Sequence, residues 1–178
     1  MSRILKRIAA GVVIAGVAAL LLAAGGYAAG ARVNTTKSIP VGLYWTSSAP
    51  VEKGAYVLFC PPQLGVFDDA KERGYIGAGF CQGGYGYMMK RVLAAKDDAV
   101  AVADDGVRVN GELLPLSAPI KADKAGRPLP RYQSNSYTLG NSEVLLMSDV
   151  SATSFDGRYF GPINRSQIKT VIRPVITW

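Results

Sequence analysis

From Ile8 to Ala31 the chain reads IAAGVVIAGVAALLLAAGGYAAGA, without one charged residue. A helix rising about 1.5 Å per residue through that run outreaches the roughly 30 Å hydrocarbon core of a bilayer, so the run is long enough to span it. A cleaved signal peptide is the alternative, since YAAGA offers small residues of the kind cleavage needs. The apolar region of a signal peptide usually extends over only about 7–15 residues, which favours a retained anchor here. The expected organisation is a signal-anchor over residues 1–31 and one domain over residues 32–178. Arg3, Lys6 and Arg7 precede the run. The positive-inside rule keeps them in the cytoplasm and sends the domain across, which in a bacterium means an inner-membrane protein facing the periplasm. Thiols oxidise there, so Cys60 and Cys81 read as a disulfide, with two buried free thiols as the alternative.

Histidine is absent altogether. That removes the usual general base near neutral pH and the commonest metal ligand, so a Ser-His-Asp triad is impossible. Two cysteines without histidine cannot close a four-ligand zinc site within one chain, and neither a metal nor a cofactor is expected. Any catalysis must come from Ser, Thr, Lys, Asp, Glu, Tyr or Cys. The net charge of +7 includes the three cations before the apolar run, and the rest are scattered without interleaved aromatics. Nucleic acid is therefore not an expected partner, and a weak attraction to anionic membrane surfaces is as good a reading.

Past residue 32 the pattern breaks into short apolar runs punctuated by Gly and Pro, without helical periodicity, which predicts a β-rich domain. Strands are expected over 54–60, 86–94, 98–114, 143–149 and 168–176, with DDG at 104–106 as a hairpin turn inside the third. Stretches 61–85 and 115–142 read as loops or an insertion, with 68–73 the only short helix outside the anchor. Asp97, Asp98, Asp104 and Asp105 read as turn residues without chemistry.

Without histidine, lysine becomes a strong candidate base, provided burial lowers its pKa from about 10.4 towards 7. Lys90 sits in GYGYMMKRVLAA, and strand alternation puts Met88, Lys90 and Val92 on one face. An apolar face carrying one lysine fits a buried base. It also fits an edge lysine that discourages sheet association, or one that snorkels to solvent.

Three segments, KSIPVGLYW, MMKRVLAAKDDAV and SDVSATSFDGRYFGPI, occur in the order and with the separations of the catalytic segments of the bacterial signal peptidase I superfamily. The chain as a whole, anchor included, resembles the TraF-type branch, the conjugative-transfer peptidases that mature a pilin precursor. The resemblance implies a mainly β, signal peptidase I-like domain behind one N-terminal transmembrane helix. It makes Ser38 the nucleophile and Lys90 the general base, with Ser154 as the hydroxyl that orients the lysine. Asp156 and Arg158 become a pair bracing the site. Thr36 would offer a hydroxyl to the oxyanion beside the Ser38 backbone N–H. The form Ser-Ile-Pro-x-Gly-x-Tyr is TraF-like, whereas ordinary signal peptidases carry Ser-Met-x-Pro. The Gly-x-Pro-Gly-Asp turn of the family is reduced in AAKDD to its final Asp98.

The motif's chemistry agrees with this. A serine hydroxyl needs a neighbouring base to take its proton, and a neutral lysine does so without a third residue if its position is fixed. Pro40 limits the backbone beside Ser38, and Gly42 permits a sharp turn. Asp156 and Arg158, two apart, would share a face of a strand; an ordinary surface salt bridge is the alternative. Ser38 follows the apolar run by about seven residues, which puts it near the membrane surface. The expected substrate is a membrane-inserted pilin precursor, cut through an acyl-enzyme that passes to the substrate's own N-terminal amine and closes it head to tail. A general leader peptidase and a non-enzymatic periplasmic scaffold are the rival readings.

Overall fold

The computed structural model describes residues 2–178. Helix α1 (Arg3–Ala29) takes up the apolar run, and Ser2 caps its start by accepting from the Leu5 N–H. None of its residues is buried against the rest of the chain. Its length and hydropathy suffice to cross a membrane. It ends at Gly30, whose left-handed φ of 113° avoids a Cβ that would meet Thr46 Oγ1 at 2.3 Å. Glycine takes that conformation without steric cost, which makes it the residue for such a helix end.

Strand β1 (Ala31–Asn34) begins at the very next residue and pairs with β2 (Gly42–Ser47). The chain then runs through β3 (Tyr56–Phe59), helix α2 (Gly65–Glu72) and β4 (Met88–Ala94). A small sheet follows from β5 (Ala99–Ala103), β6 (Gly106–Val109), β7 (Glu112–Leu113) and β8 (Ser134–Thr138). Last come β9 (Glu143–Met147), helix α3 (Gly157–Phe160), β10 (Ile163–Asn164) and β11 (Ile168–Thr177).

The main sheet has the order β1-β2-β11-β3-β4-β9-β10, and the small one β7-β6-β5-β8. The C-terminal strand β11 lies between β2 and β3, so the residues of the Ser38 turn and of Lys90's neighbour strand are joined through the end of the chain. One core packs Val57, Phe59, Val92 and Leu146 around the Cys60–Cys81 disulfide, whose Cα atoms are 5.5 Å apart. A second, of Val100, Val102, Val107, Leu145 and Met147, joins the two sheets.

The mainly β body matches the expectation, and several element boundaries do not. The run 98–114 forms three strands, with the predicted turn at Asp104 and Asp105 joining the first two. The short helix begins earlier than 68, at Gly65, because Leu64 already accepts the Phe67 and Asp68 N–H groups. Strand β8 lies inside a stretch read as loop. Its sequence SNSYT has no apolar alternation, and pairing with β5 makes it a strand. β1 and β2 were not among the expected strands; they flank the loop between Asn34 and Gly42, and pairing with each other and with β11 makes them strands.

Candidate active site

Ser38 stands half-buried in the loop that joins β1 to β2, closed by the pair Asn34 and Gly42. Ile39, the next residue, is wholly buried with Tyr44, Leu58 and Ile172, so the loop is nailed to the core beside Ser38. The Tyr44 hydroxyl donates to Pro40 O at 2.6 Å, and the Trp178 N–H to Val41 O at 3.0 Å. Gly42 does not make the turn, as the sequence reading had it, because it is the first residue of β2. Its missing side chain instead lets β11 approach, since a Cβ there would meet Ile176 O at 2.1 Å.

Lys90 occupies the centre of β4, whose burial alternates as predicted with Met88, Lys90 and Val92 inward. Val57 is directly opposite it on β3, and Val171 opposite Val57 on β11, so the lysine belongs to an apolar cross-strand row. It is 2% exposed, which excludes the edge and snorkelling readings. Among the described residues no carboxylate lies within ion-pair distance of its Nζ. Burial among apolar side chains lowers its pKa from the ordinary 10.5 to about 8; Asp156 pushes the other way and Arg158 lowers it further.

Ser154 comes from the loop after β9, with its Oγ 3.5 Å from Ser38 Oγ. That loop is held from behind. Asp156 caps α3, accepting from Ser148 N at 3.0 Å and from Arg158 Nε at 2.8 Å, and both members of the pair are completely buried. They are not strand neighbours, as expected, and not a surface pair: the residue spacing is realised in the first turn of a helix. Arg158 Nη1 also donates to Leu116 O at 2.6 Å and Ala152 O at 3.0 Å, joining the 116 segment to the Ser154 loop. The five fixed donors of a guanidinium suit a hub of this kind.

Thr36 lines the same cleft, but its hydroxyl donates to Asn34 Oδ1 at 3.0 Å. Asp98 acts as a turn residue, accepting from Ala95 N at 3.0 Å and Lys53 Nζ at 3.1 Å.

Ser38, Lys90 and Ser154 open into a cleft of about 430 Å³. Met88, Phe155 and Tyr75 form its apolar walls, and a small hairpin over residues 121–129 forms its rim. Asp123 organises that hairpin, accepting from Ala125 N at 2.9 Å, Arg127 N at 2.9 Å and Arg127 Nε at 2.7 Å, and also from the Tyr75 hydroxyl. The hydrogen bond from Tyr75 leads the causes that hold its carboxyl well below the usual carboxylate range. Arg73 Nη1 donates to Pro128 O at 2.6 Å. Arg73 and Tyr75 both lie in the loop closed by the disulfide, which therefore supports the rim. The sequence reading missed Asn34, Tyr75 and Asp123. The Asp123-x-x-Gly126 turn was a usable signal for the hairpin, whereas nothing local marks Tyr75.

The chain thus combines an N-terminal helix long and apolar enough to cross a membrane, a mainly β body, and a buried lysine in one cleft with the serines Ser38 and Ser154. It belongs to the signal peptidase, peptidase S26, family, whose model matches residues 1–178. It is 77% identical over 178 residues to the plasmid transfer protein TraF of Escherichia coli, covering 100% of both chains. To the conjugal transfer protein TraF of Agrobacterium fabrum (strain C58) it is 35% identical over 168 residues, 92% of this chain and 93% of that one. A crystal structure of a signal peptidase I from Enterococcus faecalis V583 aligns with 71% of this chain and 100% of its own, at 16% identity and a TM-score of 0.40.

Proposed function

We propose that the chain is a serine peptidase with Ser38 as nucleophile and Lys90 as general base. Anchored in the inner membrane and facing the periplasm, it matures a membrane-inserted conjugative pilin precursor and closes the product head to tail. One observation carries the chemistry: Lys90 is buried in the cleft that holds Ser38, with its pKa lowered to about 8, so a usable fraction is neutral near physiological pH. The full-length similarity to plasmid and conjugal transfer proteins supports the conjugative setting.

The reaction runs from these residues. The neutral Lys90 amine takes the Ser38 proton as Ser38 Oγ attacks the scissile carbonyl, and the Ser38 backbone N–H faces the oxyanion that forms. The Thr36 hydroxyl is occupied by Asn34, so it serves the loop before it serves the oxyanion. Protonated Lys90 then gives its proton to the departing amine, leaving the acyl group esterified to Ser38. Ser154 keeps the two groups in line, and Asp156 with Arg158 holds Ser154 in place. An amine held nearby competes with water for the ester, because positioning raises effective molarity by about 10⁵ M or more. The substrate's N-terminal amine is that nucleophile, and the anchor keeps both molecules in one membrane.

The test incubates the purified protein with a conjugative pilin precursor and weighs the intact product. A cyclic product is lighter than the linear fragment by one water and has no free N-terminus. Ser38→Ala and Lys90→Arg should each abolish it, since arginine keeps the charge and cannot give up its proton. A linear product at full turnover reduces the reading to an endopeptidase. Activity surviving in Lys90→Arg removes the dyad.

A further inference from the structure

Asn34 is a buried polar side chain in the nucleophile loop that the proton transfer leaves without a task. It ends β1, is 4% exposed, and directs all its hydrogen bonds into the loop it closes. Its Nδ2 donates to Thr36 O at 2.7 Å, Ile39 O at 2.9 Å and Pro40 O at 3.0 Å. Its Oδ1 accepts from the Thr36 N–H at 3.1 Å and the Thr36 hydroxyl at 3.0 Å. The two amide hydrogens are thus shared among three carbonyls on both sides of Ser38, one before it and two after.

The loop would stay docked without this amide. Ile39 and Tyr44 are each 0% exposed in the cluster beneath it, and burial of that kind holds the segment down. Apolar contact is non-directional, however, so it does not fix how the peptide planes beside Ser38 are turned. Hydrogen bonds do, because they weaken steeply away from linearity.

We infer that Asn34 is a positioning residue for this chemistry: through the backbone of residues 36–40 it holds the Ser38 hydroxyl where Lys90 can take its proton. The inference rests on the assignment of Ser38 and Lys90 made above, and it gives Asn34 no contact with substrate.

The test uses p-nitrophenyl acetate on the full-length protein in detergent, scoring acetyl-Ser38 by peptide mass spectrometry. In that step the bond from the acetyl carbon to nitrophenolate breaks and one to Ser38 Oγ forms, while the Ser38 proton passes to Lys90 and on to solvent. Asn34→Ala should slow acetylation about 100-fold at saturating ester, the size of effect expected for a misplaced reacting group. The half-saturating ester concentration and the pH midpoint should not move. Asn34→Asp keeps the acceptor and loses the three bonds to carbonyls, so it should be nearly as slow, and it carries the test if the alanine variant unfolds. Val102→Ala, which thins the remote core between the sheets, serves as a destabilised control and should acetylate at the wild-type rate. A folded Asn34 variant within threefold of wild type overturns the inference, as does an equal loss in the Val102 control. Wild-type protein without acetyl-Ser38 refutes the Ser38 and Lys90 assignment itself.

Discussion

Replacing Lys90 by Met should make the protein inactive and more stable, and the gain should fade with rising pH. Lys90 titrates near 8 in the folded chain and near 10.5 when exposed. Below pH 8 both states carry the proton, and the whole cost of burying the cation weighs on the fold. Between 8 and 10.5 the unfolded chain binds a proton that the native state does not, so wild-type stability rises with pH through that window. Above 10.5 both are neutral and the cost is gone. The difference of 2.5 between those pKa values corresponds to about 3 kcal/mol at pH 7, shrinking to about 1 kcal/mol at pH 10. Methionine has similar length and no proton, and its packing error of up to about 1.5 kcal/mol is the same at both pH values. The advantage of Lys90→Met over wild type should therefore fall by about 2 kcal/mol between pH 7 and pH 10. Urea denaturation of the oxidised full-length proteins in detergent, followed by tryptophan fluorescence, measures it. An advantage equal at the two pH values, or a variant less stable than wild type whose deficit does not deepen at pH 10, would refute the claim that a charge is being held in an apolar row.

Peptidase activity should rise with a midpoint near pH 8, where Lys90 loses its proton, and increase about tenfold from pH 7 to pH 9; a flat profile would contradict a lysine base. Asp156→Asn should cost about 3–5 kcal/mol, since it strips the counter-charge from the buried Arg158, and denaturant midpoints will register it. Cys60→Ser with Cys81→Ser should lose about 3 kcal/mol for a bridge of sequence separation 21, read by the same denaturation; a loss under about 1 kcal/mol would contradict the chain-entropy account. Tyr75→Phe removes the hydroxyl that holds Asp123, and should lower turnover without moving the pH midpoint, as a pH–rate series will record.

Some of this site was legible in the chain, because its information is local. The Lys90 face could be read from alternation alone, and the same alternation is seen in β4. Ser38, Ser154, Asp156 and Arg158 were picked out by their motifs, and these positions converge in space even though Asp156 and Arg158 meet on a helix turn rather than a strand. What was not legible depends on partners distant in sequence. Tyr75 and Asp123 are apart by 48 positions, and neither has a pattern that points to the other. β8 is polar throughout, and only the exposed edge of β5 makes it a strand. Asn34 reads as a linker residue until β1 and β2 are paired, since the loop it fills does not exist before that pairing.

Gly30 separates the last turn of α1 from a strand already in register with β2, and Thr46 and Trp45 wall it in. A catalytic head on a flexible stalk would sweep a range of heights above the bilayer and would have to choose its bond by side chains alone. On the proposed reading, with α1 retained in the bilayer, one confined residue in place of a stalk makes the head a fixed-depth gauge. The distance along a substrate from its last embedded residue to the bond that is cut then becomes part of the recognition code, and lengthening that span by a few residues should spoil a substrate whose cleavage sequence is perfect.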